Sequence, residues 1–338
     1  MNKKRVLAML LAGAMALSMT ACGGNSASTD GSSNDGGASA SGGSYKVSVI
    51  LKTLAAEYWQ YVKSGAEDYA SEHSDTVTVE VKGPSSETAF DEMQNMIETD
   101  LSSGSYDGVI ISPLQSDTAA QLVSGTKLPI VAIDTNFTAP EVKSFVGTGN
   151  EAAAKKGGEA AVEAAKAAGW TDIKCIEIAG VQGDQTNTAR MNGYKAGVEE
   201  AGGTFLSDEV QYADATADRA TTAMEAIMQT HPEGIAIICA NNDDMAMAAA
   251  RAAQGHDAYK NTIFLGFNGD RAACEAILAG QMTMSVAQMA YEMGYKAVET
   301  MVQVLDGETV DEFVDSGSDV VTPDNAQERL DTLKTQLH

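Results

Sequence analysis

The sequence predicts an α/β protein with two doubly wound parallel sheets, and three observations support this fold class. Short runs rich in Val and Ile recur from residue 45 onward, and several are apolar at consecutive positions, as in strands buried on both faces of a parallel sheet. Longer amphipathic stretches separate these runs, and the alternation indicates right-handed βαβ units. The alternation restarts after residue 149, so we expect two sheets rather than one.

The apolar runs and the amphipathic stretches give the expected elements in chain order. Strands are predicted at residues 46–51, 77–81, 108–112, 130–134, 173–178, 235–240 and 263–267. Helices are predicted at residues 57–72, 88–101, 151–168, 188–201, 219–229, 243–253 and 270–279. The first series ends near residues 145–149 and the second begins at residue 173, so the helix at 151–168 connects them.

The N-terminal residues have the order of an export signal. A basic start precedes an apolar run over residues 6–19 that is too short to span a bilayer comfortably, and small residues and Cys22 follow. This order resembles the bacterial lipoprotein signal, although Met19 stands where that signal usually has Leu. We therefore expect a signal peptide over residues 1–21 and a lipid on Cys22. The alternative is an ordinary signal peptide with an incidental cysteine.

A polar tether is expected after the signal, over residues 22–44. It consists almost wholly of Gly, Ser, Asn, Asp, Ala and Thr, has no apolar surface to bury, and should behave as a disordered, flexible coil. The remaining body, residues 45–338, is long enough for two domains of ordinary size and has no run of transmembrane length.

The composition excludes several classes of partner and cofactor. Without residues 1–21 the chain has 19 basic and 47 acidic residues, a formal charge of −28, and such a surface repels nucleic acid. The cysteines after Cys22 are odd in number, so no closed disulfide framework is expected, and Cys175 and Cys239 lie in apolar runs typical of buried thiols. The four histidines are scattered without ligand spacing, so we expect neither a metal site nor a cofactor.

Polar and aromatic side chains follow the predicted strands, and these positions are the candidate ligand site because ligands bind open α/β sheets at the carboxyl ends of their strands. Planar side chains that make two hydrogen bonds suit the adjacent hydroxyl groups of a sugar, and aromatic rings suit its C–H face. The set contains no nucleophile–base pair and no phosphate-binding loop. The candidate ligand residues are Lys52, Tyr58, Trp59, Asp134, Arg190, Asn242, Asn268 and Gln288.

Two adjacent residues at one of these positions have competing interpretations. Asn242 and Asp243 precede a predicted helix, and an N-cap alone would explain both residue types. We expect Asp243 to cap the helix and Asn242 to face the ligand. Similarly, we expect at least one of Tyr58 and Trp59 in the ligand cleft rather than in the core, with Trp59 favoured.

Seven segments, taken in order, carry a resemblance to a known family: LKTLAAEYW (51–59), GVIISPL (108–114), PIVAID (129–134), TARMNG (188–193), CANNDDMAM (239–247), GFNG (266–269) and GQMTMSVAQ (280–288). They resemble the periplasmic sugar-binding proteins of ABC importers, of the ribose/allose/galactose type among the type I periplasmic binding proteins. The resemblance implies an extracytoplasmic receptor that captures a monosaccharide or polyol and delivers it to the membrane subunits of a permease. It implies a monomer, held by Cys22 on the outer face of the cytoplasmic membrane.

The resemblance also implies Rossmann-like lobes joined by a hinge that the chain crosses three times, with the ligand cleft between them. The N-terminal lobe would comprise residues 45–147 plus 289–316, and the C-terminal lobe residues 148–288 plus 317–338. The eight candidate residues fall on positions that bind ligand in the family.

Several positions depart from the family's pattern. Residues 55–57 are Ala-Ala-Glu, which removes one hydrogen-bonding side chain before the aromatic pair. Thr135 replaces a charged residue, Asn268 replaces an aspartate, and residues 215–217 lack an expected aromatic side chain. Fewer polar groups and less stacking suggest a ligand other than ribose or allose.

Four other functions share this scaffold. A nucleotide-dependent oxidoreductase would need a phosphate loop, which the candidate residues do not form. A lac-repressor-type regulator would need an N-terminal DNA-binding segment and a basic surface, whereas this chain has a lipoprotein-like signal and an acidic charge. A receptor that feeds a chemosensor, and a receptor for a nucleoside or a furanosyl signal molecule, remain alternatives to the sugar importer.

Overall fold

A computed structural model of the protein describes residues 44–337 and has two β-sheets with helices on their faces. The first sheet contains β1 (Tyr45–Ile50), β2 (Val77–Lys82), β3 (Gly108–Ile111), β4 (Ile130–Ile133), β5 (Val142–Gly147) and β12 (Phe313–Asp315). The second contains β6 (Lys174–Ala179), β7 (Thr204–Phe205), β8 (Gln211–Tyr212), β9 (Ile237–Ala240), β10 (Ile263–Asn268), β11 (Met284–Gln288) and β13 (Ser318–Val321).

Seven of the helices in the described part of the chain correspond to those predicted from the sequence, and the helices near residues 116–123, 290–305 and 326–335 are additional. In chain order the helices are α1 (Glu57–Glu72), α2 (Phe90–Ser103), α3 (Ser116–Val123), α4 (Asn150–Ala167), α5 (Gln185–Glu200), α6 (Ala217–Thr230), α7 (Asp243–Ala253), α8 (Arg271–Leu278), α9 (Ala290–Leu305) and α10 (Ala326–Thr335). The α/β class and the two doubly wound sheets expected from the sequence are therefore confirmed.

Both sheets have the same doubly wound order. The first runs β2-β1-β3-β4-β5-β12 and is parallel throughout. The second runs β7-β6-β9-β10-β11-β13, with β8 also paired to β6, and β13 is antiparallel to β11. The strand order reverses between β1 and β3 and again between β6 and β9, and ligands bind such sheets beside these switch points.

The chain passes between the sheets three times. It leaves the first sheet after β5 and continues into α4, which packs against β10 and β11. It returns after β11 into α9, which packs against β3, β4 and β5, and crosses a third time between β12 and β13. The predicted lobe limits at residues 147/148, 288/289 and 316/317 remain a prediction.

Close helix packing fixes the first sheet's outer layer. Gly65 of α1 and Gly294 of α9 face each other's helix backbone, and a Cβ at either position would collide with the carbonyl oxygen of Tyr291 or Val62. Glycine is therefore required at both positions for α1 and α9 to approach so closely. This contact sets the position of α1, whose first turn carries Tyr58 and Trp59.

The central strands are buried as the apolar runs predict, and Cys175, Cys239 and Cys274 are buried free thiols. Within residues 44–337 no helix is long and apolar enough to cross a membrane. The expected signal peptide (1–21), Cys22 and residues 22–43 of the expected tether lie outside the described residues.

Candidate functional site

A cavity of about 590 Å³ lies where the carboxyl ends of the two sheets face each other. Its first wall is formed by residues after β1, at the start of α1 and after β4, and its second by residues of α5 and those at the ends of β9, β10 and β11. All eight residues predicted from the sequence line it: Lys52, Tyr58, Trp59, Asp134, Arg190, Asn242, Asn268 and Gln288.

Tyr58 and Trp59 both line the cavity, and each is held by a carboxylate. The Tyr58 hydroxyl donates to Oδ1 of Asp134 over 2.8 Å, and Nε1 of Trp59 donates to Oε1 of Glu87 over 2.9 Å. Their ring centroids lie 5.0 Å apart with planes at 85°. Burial, and secondly the Asp134 carboxylate, raise the pKa of Tyr58 well above its usual value, so the hydroxyl stays a donor. The pair therefore presents two fixed, nearly perpendicular rings.

Arg190 is buried and oriented by three contacts in the second wall. Its Nε donates to Oδ1 of Asn150 over 2.8 Å, and its Nη1 donates to the carbonyl oxygen of Asn241 over 2.7 Å. The guanidinium carbon lies 3.8 Å from the ring centroid of Phe267. A guanidinium held in this way is preorganised to offer its remaining N–H groups to a ligand oxygen.

The helix cap predicted at α7 is wrong by one residue. Asn242, not Asp243, is the N-cap: its Oδ1 accepts from the backbone N–H of Met245 over 2.9 Å, while its Nδ2 donates to the carbonyl oxygen of Ala215 over 3.1 Å. Asp243 is instead fully buried and accepts from Ser285 Oγ over 2.6 Å and from the backbone N–H of Asp270 over 3.0 Å. Asn242 still lines the cavity, but both polar ends of its side chain already have partners.

Gln288 and Asn268 are hydrogen-bonded to each other. Nε2 of Gln288 donates to Oδ1 of Asn268 over 2.9 Å, and Nδ2 of Asn268 donates to Oδ2 of Asp270 over 3.2 Å. Lys52 is different, since in the part of the chain that the structure describes its side chain has neither a hydrogen bond nor an ion pair. The second wall of the cavity thus has the hydrogen-bonded series Gln288–Asn268–Asp270, and the first wall has the unpaired ammonium group of Lys52.

Backbone strain is concentrated at this cavity. Among the described residues, the non-glycine residues with positive φ are Asp134 (61°), Asp214 (46°), Ala215 (59°) and Asn268 (138°), and all four line it. Such conformations cost free energy and persist only where the surrounding structure enforces them, so their clustering supports a functional site.

Further polar residues line the cavity that were not among the eight predicted. Some were open to sequence reasoning, because Asn241 directly follows β9 and Asp270 lies two residues after β10. Others carry no such signal, since Glu87 lies in a loop and Glu57 reaches the cavity through the first turn of α1. The additional residues with a carboxyl or amide group are Glu57, Glu87, Asp184, Asn187, Asp214, Asn241, Asp244 and Asp270.

A buried acid lies beneath the second wall. Glu177 on β6 is fully buried, and its Oε1 accepts from Nδ2 of Asn241 over 3.4 Å, while its Oε2 has no partner among residues 44–337. Burial raises the pKa of Glu177 to about 8, against the opposing effects of Asn241 and Arg190. Because Asn241 also accepts from Arg190, this acid supports the residue that orients the guanidinium.

Comparisons with known proteins agree with this geometry. The periplasmic binding protein domain matches residues 47–309. The chain is 30% identical to the D-allose-binding periplasmic protein of Escherichia coli K12 over 75% of this chain and 82% of that protein, and 27% identical to that strain's ribose import binding protein over 78% and 86%. The structure resembles an ABC transporter solute binding protein of Mycobacterium smegmatis with bound glycerol (TM-score 0.72, 25% identity, 85% of this chain and 96% of that one). The chain therefore belongs to the periplasmic binding protein family, the solute-binding receptors of ABC transporters.

Proposed function

We propose that this protein is the extracytoplasmic receptor of an ABC importer, and that it captures a monosaccharide or polyol and delivers it to the membrane permease. The observation that carries the proposal is the cavity between the carboxyl ends of the two sheets, whose walls combine two fixed aromatic rings with planar polar side chains. Ring faces and bidentate polar groups are the features that recognise a polyhydroxylated ligand. The named ligands of the relatives, D-allose and ribose, belong to the same chemical class.

The ligand of this chain is expected to differ from ribose and allose. Thr135 donates its hydroxyl to Oδ2 of Asp134 over 2.8 Å, so it holds the aspartate rather than offering a charge to the ligand. Ala215 lines the cavity, and residues 215–217 lack the aromatic side chain that the family pattern has in this stretch. A bulkier or differently hydroxylated sugar, or a polyol such as an inositol, fits these changes.

Binding acts through closure of two lobes. We assign residues 45–147 plus 289–316 to one lobe and residues 148–288 plus 317–338 to the other, with the three passages between the sheets as the hinge. A ligand that contacts both walls binds the closed arrangement more tightly and shifts the population toward it. The closed form then docks on the permease. This cycle needs no chemical step, so the protein is a receptor and not an enzyme.

The location follows from the family and from the N-terminal sequence. Periplasmic binding proteins of ABC importers are extracytoplasmic. We propose in addition that the signal peptide is removed, that Cys22 carries a lipid, and that the protein works as an anchored monomer.

Replacing Cys22 with Ser should move the protein from the membrane fraction to the soluble fraction of the producing cells, and light scattering of that variant should give one chain per particle. A variant that stays in the membrane fraction would contradict the anchor.

A thermal-shift screen of the purified protein tests the ligand class. The panel comprises D-ribose, D-allose, D-galactose, D-arabinose, glycerol and myo-inositol, with adenosine and uridine for the nucleoside alternative. A ligand at about 100 times its Kd adds roughly 2.7 kcal/mol to the free energy of unfolding, which raises the Tm by about 4 °C at an unfolding entropy of about 2.1 cal/mol/K per residue. A shift with a sugar or polyol supports the proposal. A shift with the nucleosides alone, or with none of the panel, contradicts it.

A further inference from the structure

We propose that Asp270 binds the ligand directly and helps to determine which sugar or polyol is accepted, and that Gln288 and Asn268 hold its carboxyl group in place. This inference rests on the proposed function and deepens it. Asp270 lines the cavity but was not among the residues predicted from the sequence.

The first argument is that both polar atoms of the Asn268 amide already bond to neighbouring side chains. Its Oδ1 accepts from Gln288 over 2.9 Å and its Nδ2 donates to Oδ2 of Asp270 over 3.2 Å. The amide of Asn268 therefore connects Gln288 to Asp270. This series of hydrogen bonds ends at Asp270, whose Oδ1 has no hydrogen-bond partner in the described part of the chain.

The second argument is that the Asp270 carboxyl has no structural role at its own helix. Asp270 is the residue before α8, a position where aspartate commonly accepts a hydrogen bond from the first turn. Here its side chain makes no such capping bond. An acid at an N-cap position that does not cap, and that lines a cavity, is available for a ligand.

The third argument is that the backbone around Asp270 is fixed. The N–H of Asp270 donates to Oδ2 of Asp243 over 3.0 Å, and the N–H of Gly269 donates to Oγ of Ser285 over 3.0 Å. Asn268 and Gly269 both have positive φ, at 138° and 66°, and a Cβ on Gly269 would collide with Ala287. The turn therefore sets the direction of Asp270 before any ligand arrives, which lowers the entropic cost of binding.

The fourth argument is chemical. Burial, and secondly the neighbouring carboxyl of Asp243, raise the pKa of Asp270 well above its usual range. A carboxyl group that keeps its proton donates one hydrogen bond and accepts another, which is the pattern that a sugar hydroxyl complements. A polar group left unpaired in a closed cavity costs about 1–3 kcal/mol, so a ligand lacking this hydroxyl is rejected.

The test compares Asp270→Asn and Asp270→Ala with Glu275→Gln, which replaces an acid with its amide at an exposed position on α8, the helix that Asp270 precedes. The probe is the panel sugar or polyol that gives the largest thermal shift, together with its monodeoxy analogues, measured by titration calorimetry. We expect Asp270→Ala to weaken binding of the parent compound by about 10- to 100-fold. We expect Glu275→Gln to bind within about twofold of the unmodified protein.

The deoxy analogues give the decisive comparison. One analogue should lose affinity for the unmodified protein and show little further loss with Asp270→Asn, because the contacted hydroxyl is already absent. For each remaining analogue, Asp270→Asn should bind more weakly than the unmodified protein, because the hydroxyl that contacts residue 270 is still present. An affinity for Asp270→Asn and Asp270→Ala that equals that of Glu275→Gln would overturn the inference while leaving the proposed function intact, as would equal losses for every analogue. If the unmodified protein binds no panel member, the proposed function fails and this inference fails with it.

Discussion

Nε of Arg271 donates to Oε1 of Glu57 over 2.9 Å, and this ion pair joins the two sheets at the rim of the cavity. Glu57 is the first residue of α1, which packs on the first sheet, and Arg271 is the first residue of α8, which packs on the second. The hydroxyl of Tyr61 also donates to Glu57 Oε1 over 2.9 Å, which holds the carboxylate in position. The pair therefore links α1 of the first sheet to α8 of the second in the arrangement that the structure shows.

Arg271→Gln should weaken ligand binding, because the ion pair stabilises the arrangement in which both walls contact the ligand. Partly exposed pairs are worth about 0.2–1 kcal/mol, so we expect a loss of roughly 1.5- to 5-fold in affinity. The loss should be larger at about 0.05 M than at about 0.5 M salt, since salt screens exposed charges. Titration calorimetry at the two salt concentrations measures both effects.

Glu67→Gln is the matched control for this experiment. Glu67 pairs with Lys63 over 3.1 Å within α1, so its replacement removes a similar ion pair without touching the second sheet. Equal affinity losses in Arg271→Gln and Glu67→Gln would show that the pair across the cavity has no special role in closure.

Asn242→Ala should destabilise the protein even without ligand, because the side chain caps α7 through Met245. Loss of an asparagine N-cap costs about 0.5–2 kcal/mol of the free energy of unfolding. Urea unfolding of the ligand-free protein measures this cost. Asn242→Asp keeps the capping oxygen and should recover most of the stability, whereas an Asn242→Ala variant as stable as the unmodified protein would refute the cap.

Glu177→Gln should flatten the pH dependence of stability. The pKa of this acid is about 8 in the folded protein and about 4.3 in an unfolded chain, so the folded state binds more protons between these values. Its contribution to the free energy of unfolding is fully present below about pH 4 and is lost as the pH rises through about 8, at up to about 1.4 kcal/mol per pH unit.

Urea unfolding at about pH 5 and about pH 8 compares Glu177→Gln with Glu98→Gln, an exposed position on α2. We expect the unmodified protein and Glu98→Gln to lose stability over this interval by more than Glu177→Gln does. The same slope in all three proteins would mean that Glu177 is ionised in the fold.

The alternation of apolar runs and amphipathic stretches was sufficient to predict the two sheets. Strands β3 and β4 are buried at every position, and an uninterrupted apolar run indicates that environment directly. Strands β7 and β8 have two residues each and leave no periodicity to detect. Helix α3 has eight residues and was not delimited, because so short a segment gives only a weak amphipathic signal.

The candidate site was predictable where it depends on topology and unpredictable where it depends on local geometry. Asp134 and Gln288 lie at strand ends, and parallel strands bring such ends to one edge. The cap at α7 was misplaced because Asn and Asp are equally good N-caps, and burial beside Ser285 decided which residue took the role. Asp270 lies two residues after β10, which places it at this edge of the sheet, but the direction of its side chain depends on the positive φ of Asn268 and Gly269.

The most direct test of the central claim is the affinity of the best panel sugar or polyol for Arg190→Gln, measured by titration calorimetry against the unmodified protein and Arg251→Gln. Arg190 is fixed in the cavity wall by Asn150 and Asn241, whereas Arg251 is exposed on α7 outside this cavity. Removing a charged hydrogen-bond donor from a buried site costs about 1.5–3 kcal/mol, so we predict at least a 10-fold loss for Arg190→Gln and no change for Arg251→Gln. Equal affinities for all three proteins would contradict binding in the cavity between the sheets.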